Sequence, residues 1–199
     1  MHLHLIEKTI ENVIKSNLPL ILGIDGQAGS GKSTFTTALA EKYSIDVISM
    51  DDFFLPVEMK TVERLANPGN NVYHERFLKE VIPNIFSTKP WTYEAYNCQT
   101  KTLYTKQLQG HKVKIVEGVY SCHPLFESIY DIKIFFHLNK STQKERILKR
   151  NGIEMWTKFE TIWIPQEDTY FDKYRLFDTC HYLINGDNGF EEANLLKII

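Results

Sequence analysis

Cysteines and long apolar runs are scarce in this sequence, and each scarcity excludes a class of protein. The 199 residues include three cysteines, Cys98, Cys122 and Cys180, which form no CxxC pair. Neither a disulfide framework nor a zinc site is therefore indicated. No apolar run approaches the roughly 18 residues of a membrane helix, and the first residues do not resemble a signal peptide. These absences predict a cytoplasmic protein with no membrane partner.

An excess of one charge is also missing, and arginine is rare. The 23 basic and 25 acidic residues give a net charge of −2, so no basic field would attract nucleic acid. Arginine binds phosphate with two parallel hydrogen bonds, whereas lysine acts as a point charge. The few arginines are therefore candidates for phosphate contacts. They are Arg64, Arg76, Arg146, Arg150 and Arg175.

Apolar runs of strand length alternate with segments of helical periodicity along the chain. This alternation predicts an α/β fold with a parallel sheet covered by helices on both faces. The length fits a single domain, residues 1–199. The predicted strands cover residues 20–24, 46–50, 113–116, 132–138 and 181–184.

The helices follow from apolar spacing and from capping residues. Between the second and third predicted strands, residues 53–112 give mixed signals. Within them we expect a helix over 75–86 that Pro83 interrupts, and a hairpin or ordered loop over 89–106. The other predicted helices are an amphipathic one over about 6–15, one over 33–43, one over 141–149 capped by Ser141, and one within 157–174.

A complete phosphate-binding motif, G-x-x-x-x-G-K-[ST], follows the first predicted strand and precedes a predicted helix. Its glycines allow backbone N–H groups to turn toward phosphate oxygens, and the helix adds the positive end of its dipole. Lys32 would neutralise the β and γ phosphates, and the Ser33 hydroxyl would bind Mg²⁺. The predicted nucleotide-binding residues are Gly26, Gln27, Ala28, Gly29, Ser30, Gly31, Lys32, Ser33 and Thr34.

Two further carboxylate positions lie at the ends of predicted strands. Asp51 and Asp52 directly follow the second strand, so one of them would lie beside the phosphate loop at the ligand edge of the sheet. A carboxylate there can accept the proton of an attacking hydroxyl. Glu117 ends a later apolar strand and is a candidate ligand for Mg²⁺.

The ordered set of motifs resembles the uridine kinase and phosphoribulokinase-like family of P-loop kinases. The set comprises the phosphate loop, Asp51-Asp52-Phe53-Phe54 and Glu117-Gly118-Val119. The resemblance implies a P-loop kinase fold with a five-stranded parallel sheet and a small helical lid. It also implies ATP, Mg²⁺ and phosphoryl transfer to a hydroxyl of a small molecule.

By position, Asp51 resembles the family's catalytic base, and Asp52 is the alternative if the strand ends one residue later. The resemblance assigns residues 53–112 to acceptor binding and residues 140–173 to the lid and the following helix. Phe54 stands where uridine kinases usually have tyrosine. The predicted acceptor-binding residues are Asp51, Phe54, Tyr73, His74, Arg76 and Tyr96.

In the lid, Arg146 and Arg150 are four residues apart, so on a helix they share one face and could bind phosphates together. We therefore expect them to act in catalysis with Lys32 and Asp51. A solvated basic helix face is the alternative interpretation.

Other nucleotide-binding classes fit less well. A GTPase switch needs Asn-Lys-x-Asp, but Asn139-Lys140-Ser141-Thr142 lacks the final aspartate. A regulatory protein that binds nucleotide without transferring phosphate remains an alternative. The sequence leaves open the acceptor, the choice between ATP and GTP, and whether the chain forms a homo-oligomer.

Overall fold

The computed structural model describes residues 3–16, 18–187 and 194–198. Two strands form a separate antiparallel hairpin, and six form the central sheet. In chain order the strands are β1 (Leu20–Gly26), β2 (Ile45–Ser49), β3 (Trp91–Asn97), β4 (Thr102–Leu108), β5 (Val113–Glu117), β6 (Ile132–His137), β7 (Tyr182–Asn185) and β8 (Asn194–Ile198).

The central sheet has the strand order β2-β5-β1-β6-β7-β8. All pairs from β2 to β7 are parallel, and β8 pairs antiparallel with β7. The predicted five-stranded parallel sheet is therefore confirmed, and β8 adds an edge strand that was not predicted. Every residue of β1 and β5 is buried, as expected for strands covered on both faces.

Helices cover both faces of the sheet, and each face has its own apolar core. On one face, Ile10 and Phe35 pack with Leu22 of β1. On the other face, Phe77 and Phe171 pack with Ile21 of the same strand. The helices are α1 (Leu3–Ser16), α2 (Lys32–Lys42), α3 (Val62–Leu65), α4 (His74–Glu80), α5 (Lys140–Lys158), α6 (Ile164–Lys173) and α7 (Leu176–Thr179). No helix in the described ranges is long and apolar enough to cross a membrane.

The segment between β2 and β5 contains both predicted features in shorter form. The predicted helix over 75–86 is α4, which ends at Glu80 before a 3₁₀ turn over Ile82–Asn84. Pro83 lies in this turn, because it has no N–H to donate within a continuing helix. The segment over 89–106 forms the antiparallel β3–β4 hairpin.

The predicted lid consists of α5, a π-helical turn over Phe159–Trp163, and α6. The predicted cap was wrong: α5 begins before Ser141, and Asn139 occupies the N-cap position without a side-chain hydrogen bond. Gly152 interrupts α5 with a φ of 78°, a left-handed conformation that glycine adopts without steric cost. The chain therefore changes direction between the first half of α5 and the part that leads to α6.

Candidate functional site

The phosphate loop, Asp51 and Glu117 meet at one edge of the sheet. The parallel strands β1, β2 and β5 all end there, and both Ile24 and Ser49 pair with Glu117 in the strand register. Because the carboxyl ends of neighbouring parallel strands meet at one edge, residues far apart in sequence face a common cleft. This placement agrees with the expectation from the positions of the motifs.

The phosphate loop joins β1 to α2 and depends on glycine at its first position. Gly26 has a φ of 139°, and a Cβ atom at this residue would lie 2.2 Å from the carbonyl oxygen of Phe136. Gly31, at the N-cap of α2, is left-handed with a φ of 96°. A side chain at Gly26 would therefore push the loop away from β6.

Lys32 is buried and lies back over its own loop. Its Nζ donates hydrogen bonds to the carbonyl oxygens of Gly26, at 2.7 Å, and Gln27, at 2.9 Å. A buried ammonium needs such partners, because desolvation without them is costly. These contacts hold the positive charge beside the N–H groups of the loop, where a phosphate would bind.

Asp25, the residue before the loop, is fully buried and connects three walls of the site. Its carboxylate accepts hydrogen bonds from the N–H groups of Gly26 (2.7 Å), Tyr120 (3.2 Å) and Cys122 (2.9 Å), and from the hydroxyl of Tyr170 (2.8 Å). Burial nevertheless raises the pKa of Asp25 to about 6. Asp25 thus ties β1 to the segment after β5 and to α6.

Glu167 of α6 reaches the phosphate loop from the opposite side. Its Oε2 accepts a hydrogen bond from the N–H of Ala28 at 3.0 Å. Burial raises the pKa of Glu167 to about 7, although the Ala28 N–H and the charge of Lys32 lower it. A carboxylate therefore occupies one N–H donor of the loop.

Ser33 and Glu117, the two predicted magnesium ligands, are in direct contact. The Ser33 hydroxyl donates to Glu117 Oε2 at 3.0 Å, and the Ser49 hydroxyl donates to Oε1 at 3.0 Å. Hydroxyl and carboxylate oxygens are the donors that Mg²⁺ prefers, and with a nucleotide Mg²⁺ takes few protein ligands. The described residues contain no group of three or more His, Cys, Asp or Glu side chains able to hold a metal. The Ser33–Glu117 pair therefore suits a Mg²⁺ ion that would enter the site together with a nucleotide.

The two neighbouring aspartates face different surroundings. Asp51 is exposed to solvent within the cleft, and its pKa is raised by the protein around it and by the negative charge of Glu117. Asp52 is buried and accepts hydrogen bonds from the Tyr93 hydroxyl at 2.7 Å and from Lys106 Nζ at 2.7 and 2.9 Å. Asp51 is therefore accessible to a ligand, whereas Asp52 anchors the hairpin.

Arg146 and Arg150 both line the cleft from α5, but their surroundings differ. Arg146 donates to the carbonyl oxygens of Gly29 in the phosphate loop, at 3.2 Å, and Gly186 after β7, at 2.7 Å. Arg150 is exposed, and its Nε donates to the Asn151 side chain at 2.7 Å. Arg146 thus braces the loop, while Arg150 extends into the cleft.

The cleft has a volume of about 700 Å³. Its lining includes the phosphate loop and residues of α5. It also includes Asp51, Phe54, Lys60, Asn71, Cys98 and Tyr120. Aromatic and apolar side chains from the lid, Met155, Phe159 and Trp163, complete the lining. Lys60 and Met155 carried no signal in the sequence that distinguished them from surface residues.

Four of the predicted acceptor-binding residues do not line this cleft. Arg76 forms an ion pair with Glu80 at 3.0 Å and donates to the carbonyl oxygen of Glu94. Its guanidinium therefore holds α4 against the hairpin. The four residues outside the lining are Tyr73, His74, Arg76 and Tyr96.

His74 is buried against a second histidine rather than facing the cleft. The His74 and His123 ring centroids are 4.5 Å apart, and burial lowers the pKa of each to about 4. Both rings are therefore neutral near pH 7, which suits a place in an aromatic core.

Two other arginines form ion pairs within the fold: Arg64 pairs with Glu75 at 2.7 Å, and Arg175 pairs with Asp178 at 2.9 Å.

No protein-family model matches the chain, but individual proteins resemble it. A uridine kinase from Ligilactobacillus salivarius is 22% identical over 174 residues, which cover 82% of this chain and 81% of that protein. A guanylate kinase from Clostridium perfringens is 25% identical over 201 residues, which cover 96% of this chain and 86% of that protein.

Solved structures show the same fold. A possible uridine kinase from Bacillus stearothermophilus superposes with a TM-score of 0.62 at 17% identity, covering 89% of this chain and 98% of that one. The YGR205w protein gives a TM-score of 0.59 at 15% identity, covering 100% and 97%. The resemblance to the uridine kinase-like P-loop kinases is confirmed. Among known folds, the described sheet with its helices and lid is that of the P-loop kinases.

Three residues of this site were missed by the sequence analysis. Asp25 gave a signal that was overlooked, since an acidic residue stands in an otherwise apolar strand directly before the phosphate loop. Glu167 gave none, because it lies 139 residues from its partner Ala28. Tyr120 has a φ of 76°, which is rare for an aromatic residue and which the sequence does not indicate.

Proposed function

We propose that the protein uses ATP to phosphorylate a hydroxyl group of a small uncharged molecule, for example a nucleoside or a sugar. The observation that carries this proposal is the position of Asp51. Its carboxylate is exposed in the same cleft as the phosphate loop and Glu117. A carboxylate so situated can accept a proton as a hydroxyl oxygen attacks phosphorus.

In the proposed reaction, the acceptor oxygen forms a bond to the γ-phosphorus and the bond to the ADP oxygen breaks. The hydroxyl proton moves to Asp51. A raised pKa makes a carboxylate a stronger base than an ordinary aspartate, and the protein around Asp51 raises its pKa. Lys32 and the loop N–H groups would hold the β and γ phosphates.

Two further contributions come from the metal ligands and from the lid. Ser33 and Glu117 would hold Mg²⁺, which when bound neutralises charge on the β and γ phosphates. Arg150 lies close enough to Asp51 for its charge to lower the pKa of that carboxyl, so it is near the transferred group. Arg146 would act by bracing the loop, because its guanidinium already contacts backbone carbonyls.

The similarity to guanylate kinases raises a second candidate, a phosphate group as acceptor. Guanylate carries a phosphate, whose double negative charge requires paired cations. The described lining contains four cations, Lys32, Lys60, Arg146 and Arg150, and three carboxyl groups, Asp51, Glu117 and Glu167. Lys32 and Arg146 already contact the phosphate loop, which leaves few cations for a second phosphate. This charge balance favours an uncharged hydroxyl compound.

The base assignment is tested by comparing Asp51→Asn with Asp52→Asn in an assay of ADP release from ATP and Mg²⁺ over a panel of nucleosides and sugars. Asp51→Asn should lower turnover by roughly 100-fold or more, with nucleotide affinity nearly unchanged. Asp52→Asn should reduce stability more than turnover, because Asp52 pairs with Lys106. Full activity of Asp51→Asn would overturn the assignment.

A further inference from the structure

Glu167 lies where a negatively charged group is least expected in a nucleotide site. Its side chain is buried, and its Oε2 accepts the N–H of Ala28, the third residue of the phosphate motif, at 3.0 Å. N–H groups of such a loop are the donors that bind phosphate oxygens. The carboxylate therefore lies beside the position of an incoming phosphate.

The charges around Glu167 do not balance an added phosphate. Lys32 supplies the positive charge on the α2 side, Asp25 adds a negative charge from β1, and Asp168 adds another from α6. Lys140 pairs with Asp168 at 2.5 Å and reduces its influence. Tyr120, from the segment after β5, adds an uncharged hydroxyl nearby. Near Glu167, a phosphate would thus meet two buried carboxyl groups and one ammonium, besides the Arg146 guanidinium that contacts Gly29.

We propose that Glu167 couples nucleotide binding to proton uptake: its carboxylate binds the Ala28 N–H in the free protein and takes a proton from solvent when the phosphate enters. The resulting carboxylic acid can donate its O–H to a phosphate oxygen, so repulsion becomes a hydrogen bond. No covalent bond other than the new O–H bond forms or breaks. Glu167 would thus contact the bound phosphate without taking part in its transfer, and the inference rests on the proposed nucleotide site.

Two properties of the site make this uptake accessible near neutral pH. Burial already raises the pKa of Glu167 to about 7, so the free protein holds the carboxyl partly ionised there. A phosphate within a few ångströms adds negative charge, which raises the pKa of a carboxyl further. Affinity for nucleotide should therefore increase as pH falls.

The test is calorimetric titration of the full chain with a non-hydrolysable ATP analogue, in two buffers of different ionisation enthalpy. Wild type should take up a substantial fraction of one proton per nucleotide near pH 7.5. Its affinity should fall roughly tenfold more than that of Glu167→Gln between about pH 6 and pH 8.5. The terminal phosphate of the analogue titrates equally with both proteins, so the difference reports Glu167. Asp172→Asn, at an exposed position on the same helix, should behave as wild type.

The outcomes separate this inference from the proposed function. Absence of nucleotide binding by wild type at every pH would refute the nucleotide site itself. Binding with the same proton count, or with the same pH dependence, in wild type and Glu167→Gln would overturn the role of Glu167 alone. If Glu167→Gln does not fold, Glu167→Ala supplies the same comparison, because it also removes the ionisable carboxyl group.

Discussion

Replacing Asp25 with alanine should destabilise the protein strongly, although it removes a buried charge. The variant leaves the N–H groups of Gly26, Tyr120 and Cys122 and the hydroxyl of Tyr170 without their acceptor. Each buried donor left unpaired costs about 1–3 kcal/mol. The carboxylate itself is disfavoured, since its pKa is raised from 3.8 to about 6, and its removal returns about 3 kcal/mol at neutral pH. We expect a net loss of about 3–5 kcal/mol.

The pH dependence of this loss follows from the direction of the pKa shift. Because the pKa of Asp25 is higher in the folded protein, the folded state binds more protons than the unfolded state between about pH 4 and pH 6. The penalty for the charged carboxylate is complete above pH 6 and disappears as pH falls toward 4. The difference in free energy of unfolding between wild type and Asp25→Ala should therefore grow by about 2 kcal/mol from pH 7 to pH 4.5.

Urea denaturation followed by circular dichroism at both pH values measures these differences. Tyr170→Phe is the matched control, since it removes a single donor to Asp25 and should cost about 1 kcal/mol. A loss for Asp25→Ala below that of the control would refute the hydrogen-bond argument. A difference that shrinks toward acid would refute the direction of the pKa shift.

Two further predictions concern the loop and the core. Gly26→Ala should abolish nucleotide binding in calorimetry and lower the melting temperature, because its Cβ would lie 2.2 Å from the Phe136 carbonyl oxygen. At Gly152 a Cβ meets nothing within 4 Å, so Gly152→Ala should cost backbone strain alone, about 1–3 kcal/mol. Equal effects of the two changes would contradict the steric argument. His74 and His123 have pKa values lowered from 6.5 to about 4, so the unfolded state binds more protons and stability is lost as pH falls from about 6.5 to 4. In denaturant titrations, His74→Phe should reduce the loss of free energy of unfolding between these pH values by up to about 3 kcal/mol. The same loss in the variant as in wild type would contradict the burial of His74 as a neutral ring.

Much of the fold and the phosphate-binding half of the site could be predicted because their signals are local. The residues of the phosphate loop are consecutive, and Asp51 and Glu117 stand at strand ends that a parallel sheet brings to one edge. The choice between Asp51 and Asp52 required the structure, because the hairpin partner Lys106 lies 54 residues from Asp52. Side chains on the lid do not lie at strand ends, so the same reasoning could not predict which of them line the cleft.

Four residues that were predicted to bind the acceptor lie outside the cleft, and for one of them the physical reason is a local ion pair. Arg76 and Glu80 are four residues apart on a helix, a spacing that already indicates an ion pair, and the pair holds Arg76 away from the cleft. Glu167 and Trp163 line the cleft from the part of the lid that follows the interruption of α5 at Gly152. Contacts that depend on the path of a lid are not encoded by a local pattern.

The most direct test of the proposed function is phosphorus NMR of the product formed from ATP and Mg²⁺. The protein is supplied either with nucleosides and sugars or with nucleoside monophosphates. We predict a new phosphomonoester signal from an uncharged hydroxyl acceptor, which is lost in Asp51→Asn. Loss of the monophosphate signal as a second diphosphate forms beside ADP, with no phosphomonoester formed from the nucleosides or sugars, would contradict the proposal and identify the protein as a nucleotide kinase.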